Sequence, residues 1–167
     1  VPGAFDKIID IDYCGLMDDW QNKVRNEVRK YAFDNNLTFF NIRQHEGLLR
    51  NMMLRKTTVG ETMILMQFHY TDDIEQKKAM KLLEHLSKKF ENTTSLMFVN
   101  NLKLNDTFGD LDIQTYAGRD FIYEEMNGLK FKIGPKSFFK TNTFKAIRLY
   151  DNVAKYATLT GEETVYD

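Results

Sequence analysis

The chain has 167 residues, 43% of them hydrophobic, 13% aromatic and 28% charged, with a formal net charge of -1. That supplies a sizeable core and favours a globular chain over a disordered one, and the near-zero charge argues against a generic polyanion binder. No run is long or apolar enough to span a bilayer, and the opening VPGAFDKIID lacks a charged head followed by an apolar stretch, so a cytoplasmic setting is expected. The single cysteine, Cys14, excludes an intrachain disulfide and a complete cysteine metal cluster within the chain.

In chain order, Phe5, Ile8, Ile9 and Ile11 among Asp and Lys predict an opening strand, with a turn over Cys14 to Leu16. A helix follows, with Leu16, Trp20, Val24, Val28, Tyr31 and Ala32 on one face and Lys23, Arg25, Glu27, Arg29 and Lys30 on the other. Asp18 and Asp19 suit its positive end, and Asn35 and Asn36 stop it. From Leu37 to Arg55 the pattern is extended, with a bulge or hairpin turn at Gly47. Ile64, Met66 and Phe68 alternate in a second strand. Asp72 with Glu75 starts a second helix whose stripe is Ala79, Leu82, Leu83, Leu86 and Phe90. Leu96 to Leu102 is again extended, Asn105, Asp106 and Gly109 mark a turn, and short strands follow over Leu111 to Tyr116 and Phe121 to Tyr123. Met126 to Gly128 make a tight link into the next strand.

The stretch from Leu129 to Tyr150 holds five lysines, one arginine and no acid. Leu129, Phe131 and Ile133 alternate with Lys130 and Lys132, which gives a half-buried strand with a basic face. Gly134 and Pro135 stop the ladder, and Phe138 and Phe139 follow in a turn. Thr141, Asn142 or Thr143 caps a helix whose Ala146, Ile147, Tyr150, Val153, Ala154 and Ala157 share a face. The residues leave two readings open. In one, cations beside rings serve nucleic acid, lysines meeting phosphates and rings stacking on unpaired bases. In the other, the rings are core and the lysines a solvated face. Arg43, His45, Arg50 and Arg55 pose the same choice: Arg50 and Arg55 are candidate phosphate contacts, or their stems cover apolar neighbours. Asp10 with Asp12 suggests a metal only if other carboxylates converge, and Asn100, Asn101, Asn105 and Asp106 read as turn and cap residues.

GLKFKIGPKSFFKTNT, followed by LYDNVAKYATLTGEETVYD, resembles the junction between the central and methyltransferase domains of the RNA uracil-5-methyltransferases that use S-adenosylmethionine. FDKIIDIDYC, HEGLLRNMMLR and VNNLKLNDTFGD extend that resemblance upstream in the family's order. The expected fold is α+β: an antiparallel sheet with helices on one face at residues 1–128, then the start of a Rossmann-like α/β methyltransferase domain at residues 129–167. Glu163 to Asp167 reads as the first strand of that second unit, leading toward a cofactor loop, so the chain is expected to be a fragment of a longer protein.

The resemblance implies methyl transfer from S-adenosylmethionine to carbon 5 of a uracil in ribosomal or transfer RNA. In that chemistry a cysteine adds to carbon 6, the enolate attacks the methyl group and a glutamate removes the proton from carbon 5. In the family both residues lie downstream, so no catalytic residue is expected in this chain and the fragment alone is expected to be inactive. Phe138 matches the aromatic beside the target base, with Phe139 as packing. Lys140 stands where the family usually has a cofactor-contacting glutamine; lysine only donates hydrogen bonds and adds a charge that pairs with the cofactor's carboxylate but repels its sulfonium, so it is either a tolerated variant or a mark of impaired cofactor use. Cys14 has two readings, a half-exposed thiol or the last ligand of a four-iron cluster whose other ligands lie upstream. The alternative function is a noncatalytic RNA-binding or interaction domain descended from such an enzyme. A third, a small-molecule binder, would need a deep apolar pocket.

Overall fold

The computed structural model describes residues 9–166. Its elements are α1 (Asp19–Asp34), β1 (Leu49–Lys56), β2 (Thr62–Phe68), α2 (Asp73–Lys89), β3 (Ser95–Asn100), β4 (Gln114–Gly118), β5 (Ile122–Met126), β6 (Leu129–Ile133) and α3 (Thr143–Ala157). The second helix begins at the predicted Asp72, and the first begins at the acids assigned to its positive end, so that Leu16 lies before it. Asp18 accepts from the Trp20 amide while the Gln21 side chain returns to the Asp18 amide, a capping box, and Asp72 accepts from the Ile74 and Glu75 amides.

Four strands form one sheet in the order β1-β2-β3-β4. The outer pairs are antiparallel, whereas β2 and β3 run parallel. The α+β class therefore stands with one parallel pair at its centre. A parallel neighbour needs a long crossover, and α2 supplies it. Every residue of β2 is buried, because the sheet is covered on both sides. Ile64, Met66, Phe68, Leu96 and Phe98 pack with Val24, Val28, Ala32, Ala79, Leu82, Leu83 and Leu86 of the helices. Met63, Leu65, Met97 and Val99, one residue out of phase, pack on the other face against Ile122 and Ile133.

Those two isoleucines belong to the β5–β6 hairpin, a separate two-stranded sheet in register from Ile122↔Ile133 to Met126↔Leu129. Its turn is Asn127-Gly128, with φ of 50° and 75°, the left-handed pair that a two-residue hairpin requires. The hairpin straddles residues 128 and 129, where a domain boundary is expected.

Two predicted strands are corrected over the residues the structure describes. Phe5 and Ile8 of the opening strand lie outside the described residues, and residues 9–13 are irregular, tied down by Arg29, which bonds Asp10 and Asp12. Those two carboxylates are thus arginine partners, and among the described residues no group of three metal-ligating side chains forms. Residues 163–166 are irregular too: an extended segment becomes a strand only beside a pairing neighbour, and none of the described residues provides one.

Candidate functional site

The site grows from the segment that joins β6 to α3. Pro135 ends the ladder, and a turn closed by Ser137 to Gly134 O and Gly134 to Ser137 Oγ sends the two following rings opposite ways. Phe139 turns inward, 5.8 Å from the Phe131 ring, and joins the second core. Phe138 stays 85% exposed. Phe139 thus packs and Phe138 does not. Lys140 reaches back so that its ammonium lies 5.0 Å from the centre of the Phe138 ring.

Asn142 caps α3 by accepting from the Lys145 amide. The helix is held at its first turn by Glu124, a carboxylate only 2% exposed, which accepts from the Thr143 hydroxyl and from the amide and hydroxyl of Thr58. Burial alone would raise this carboxyl's pKa. The hydrogen bonds from Thr58, Thr143 and the Glu125 amide outweigh that and hold it below the ordinary glutamate value. A second tie, Asn127 Nδ2 to Asp151 Oδ1 at 2.9 Å, fixes the hairpin turn against the middle of α3.

Between hairpin and helix lies an apolar cleft of about 410 Å3, walled by Met126, Leu129, Phe131, Phe138, Phe139 and Tyr150, with Lys140 also on its rim. Next to it, sharing Phe139 and Lys140, is a more polar cleft of about 360 Å3 lined by Arg55, Glu124, Thr141 and Thr143. An apolar slot with aromatic walls accepts a flat ring, and the ammonium at its edge accepts an anion.

Of the two arginines singled out as phosphate contacts, Arg55 lines the second cleft, donates Nη2 to the Ser137 carbonyl and has its pKa pulled down by burial. Arg50 does something else. Its side chain is 1% exposed, and it donates to the Asn101, Lys103 and Asn105 carbonyls, pairs with Asp106 at 3.0 Å and lies over the Phe40 ring. The expectation of a phosphate contact at Arg50 is therefore corrected. Its fork is consumed in pinning the loop after β3, a use for which five fixed donors suit arginine and which sequence spacing does not reveal.

Lys130 and Lys132 project from the outer face of the hairpin, away from the cleft, and each lies 4.1 Å from a ring centre, Tyr123 and Phe121 respectively. Cys14 is half-buried in a turn whose backbone amide and carbonyl both bond the buried Asn22 side chain. A four-iron cluster needs four ligands, and Cys14 has no other cysteine in the chain to join it. Sequence reasoning missed Glu124, Arg119, Phe121 and Tyr123. The signal for Glu124 was its place two residues after Ile122, which puts an acid on the inward face of a strand.

No protein-family model matches the chain. An uncharacterized RNA methyltransferase of Bacteroides thetaiotaomicron is 44% identical over 167 residues, covering 100% of this chain and 37% of the relative. An uncharacterized RNA methyltransferase of Porphyromonas gingivalis is 43% identical, covering 100% of this chain and 36% of its own length. The chain thus spans little more than a third of the curated relatives it matches. Among solved structures, the Pyrococcus abyssi tRNA (uracil-54, C5)-methyltransferase in complex with S-adenosyl-L-homocysteine superposes with a TM-score of 0.70 at 24% identity, over 90% of this chain and 36% of that one. At that identity the superposition speaks for the fold.

Proposed function

Because the chain is homologous along its whole length to part of proteins named RNA methyltransferase, we propose that it is the RNA-holding portion of an RNA uracil-5-methyltransferase dependent on S-adenosylmethionine. In this reading residues 1–128 form the central domain and residues 129–167 open the catalytic one. The observation that carries it is Phe138, a large ring left 85% exposed at the lip of an apolar cleft while its neighbour Phe139 is packed away. Its place on the cleft wall sets it apart from most of the other exposed apolar side chains, and an extruded uracil needs such a wall when it leaves its stack.

The chain's residues then divide the work. Phe138 stacks on the target base and the cleft walls exclude water from it. Lys130, Lys132 and Arg55 meet backbone phosphates, which fixes register without reading sequence. S-adenosylmethionine would supply the methyl group, and the ammonium of Lys140 fits its carboxylate, being a donor on the rim of the apolar cleft. The nucleophile and base come from outside these 167 residues.

The full-length protein, incubated with RNA and methyl-labelled cofactor, is expected to yield 5-methyluridine on nucleoside mass spectrometry. Phe138→Ala is expected to lower that yield at least tenfold. Lys140→Ala, which removes both the charge and the donor, tests the cofactor contact: it is expected to weaken cofactor binding and leave RNA affinity unchanged. RNA binding without any methyl transfer would replace this reading with a noncatalytic RNA-binding domain of the same descent. Absence of both would overturn it.

A further inference from the structure

The outer face of the β5–β6 hairpin carries an arrangement that neither the cleft nor the core uses. Phe121 and Tyr123 lie side by side with ring centres 5.1 Å apart and planes at 71°. Three cations surround them: Lys132 lies 4.1 Å from the centre of Phe121, Lys130 lies 4.1 Å from that of Tyr123, and the Arg119 guanidinium is 4.8 Å from the first and 5.2 Å from the second. We propose that this face is a stacking platform for unpaired nucleotides, Phe121 and Tyr123 receiving bases while Lys130 and Lys132 take the flanking phosphates. The proposal rests on the RNA-holding role above and adds the kind of strand held and the rings that hold it.

Alternation along the strands puts these side chains together. Phe121, just before β5, Tyr123 within it, and Lys130 and Lys132 of β6 share the face opposite to Ile122 and Ile133, with Tyr123 directly across from Lys132. Both rings are half-buried and both lysines exposed, so the rings are covered by flexible cationic stems rather than by core. Two acids accompany them. Glu61 is committed to Arg119 and to the Tyr123 amide, and Glu125 stands opposite Lys130 in register. Neither lysine lies within salt-bridge distance of an acid among the described residues, so each ammonium sits over a ring and can still meet an anion. Against the desolvation that raises it, the Arg119 hydrogen bond, helped by the Lys130 charge, holds the Glu61 carboxyl below its ordinary value.

A nucleic-acid strand offers what this face is equipped to receive, a base to stack on a ring and an anion for a lysine in each repeat. When a phosphate draws a lysine from its ring, the ring face it covered is open to the adjacent base. A duplex keeps its bases stacked and offers only the phosphates. A protein partner would be expected to find a dry apolar patch at an interface centre, and this one is studded with three cations.

Fluorescence anisotropy of the full-length protein with single-stranded and duplex RNA of equal length tests this at several salt concentrations. The double variant Phe121→Leu, Tyr123→Leu is expected to bind the single strand at least about fivefold more weakly per ring with an unchanged salt slope, and to bind the duplex as before. Lys130→Gln with Lys132→Gln is expected to flatten the salt slope by about 1.4, roughly 0.7 per phosphate contact on a single strand. The variant Phe121→Trp, Tyr123→Trp retains the stacking surface and is expected to restore single-strand affinity, which keeps the test decisive if the leucine variant fails to fold. Unchanged single-strand affinity in the leucine variant, equal losses on duplex, or no affinity in the tryptophan variant would overturn the platform and leave the cleft reading standing. Absence of RNA binding by the unaltered protein would overturn both.

Discussion

Removing the Glu124 carboxylate should release α3 from the rest of the molecule. This group is 2% exposed and joins three segments: Thr58 in the β1–β2 turn, β5 itself, and Thr143 at the start of α3. Hydrogen bonds to a charged acceptor contribute more than neutral ones. Counting only those from the Thr58 amide and the Thr143 hydroxyl at about 1.5–2 kcal/mol each, Glu124→Ala is expected to cost roughly 3–4 kcal/mol. Glu124→Gln keeps one oxygen for Thr58 and presents its amide to the Thr143 hydroxyl, which turns to accept, so it should cost only about 1–2 kcal/mol. The two variants also differ from the parent in acid. Because the folded carboxyl titrates below its ordinary value, its contribution is complete above the unfolded pKa of about 4.3 and drains away as pH falls through the folded one. The gap between parent and Glu124→Gln should therefore close below about pH 4. Hydrogen exchange resolved by peptide reports the local effect: in Glu124→Ala the amides of Thr58 and the first turn of α3 should exchange about a hundredfold faster at neutral pH. Exchange at the parent's rate, or a Gln variant that keeps the parent's acid sensitivity, would refute the account of Glu124 as the latch.

Arg50→Lys should lower Tm and speed exchange in residues 101–107, since an ammonium cannot reproduce a fork that reaches three carbonyls and Asp106, yet leave the salt dependence of RNA binding unaltered. Gly118→Ala should destabilise by more than about 1 kcal/mol in denaturant titration, because φ there is +75° and a Cβ would lie 2.2 Å from the Thr94 carbonyl oxygen. Leu82→Ala should cost about 2–5 kcal/mol by the same measurement, its side chain being wholly buried between α2 and the sheet.

The helices, their caps and most strands were legible because each depends on neighbours close in sequence. Asp18 and Asp72 announce helix starts, and the stripe from Ala79 to Leu86 announces a buried face. Asn142 is likewise found where the turn signal puts it. Arg50 shows where such reading stops. An arginine between apolar residues looks the same whether it faces solvent or closes over a loop, and here its partners lie more than fifty positions away. The parallel pairing of β2 with β3 was hidden for a related reason, since periodicity reports which face of a strand is apolar but not which strand lies beside it or in which direction.

The sequence by itself determined the alternating strand at Leu129 to Ile133, the basic character of its outer face, and the motif order shared with RNA methyltransferases. Only the tertiary structure decided that Phe138 projects while Phe139 packs, that Arg50 is enclosed, and that Arg119, Phe121 and Tyr123 gather around the two lysines. Local chemistry sets a residue's preferences, but whether a ring or a guanidinium meets water depends on which distant surface folding brings against it.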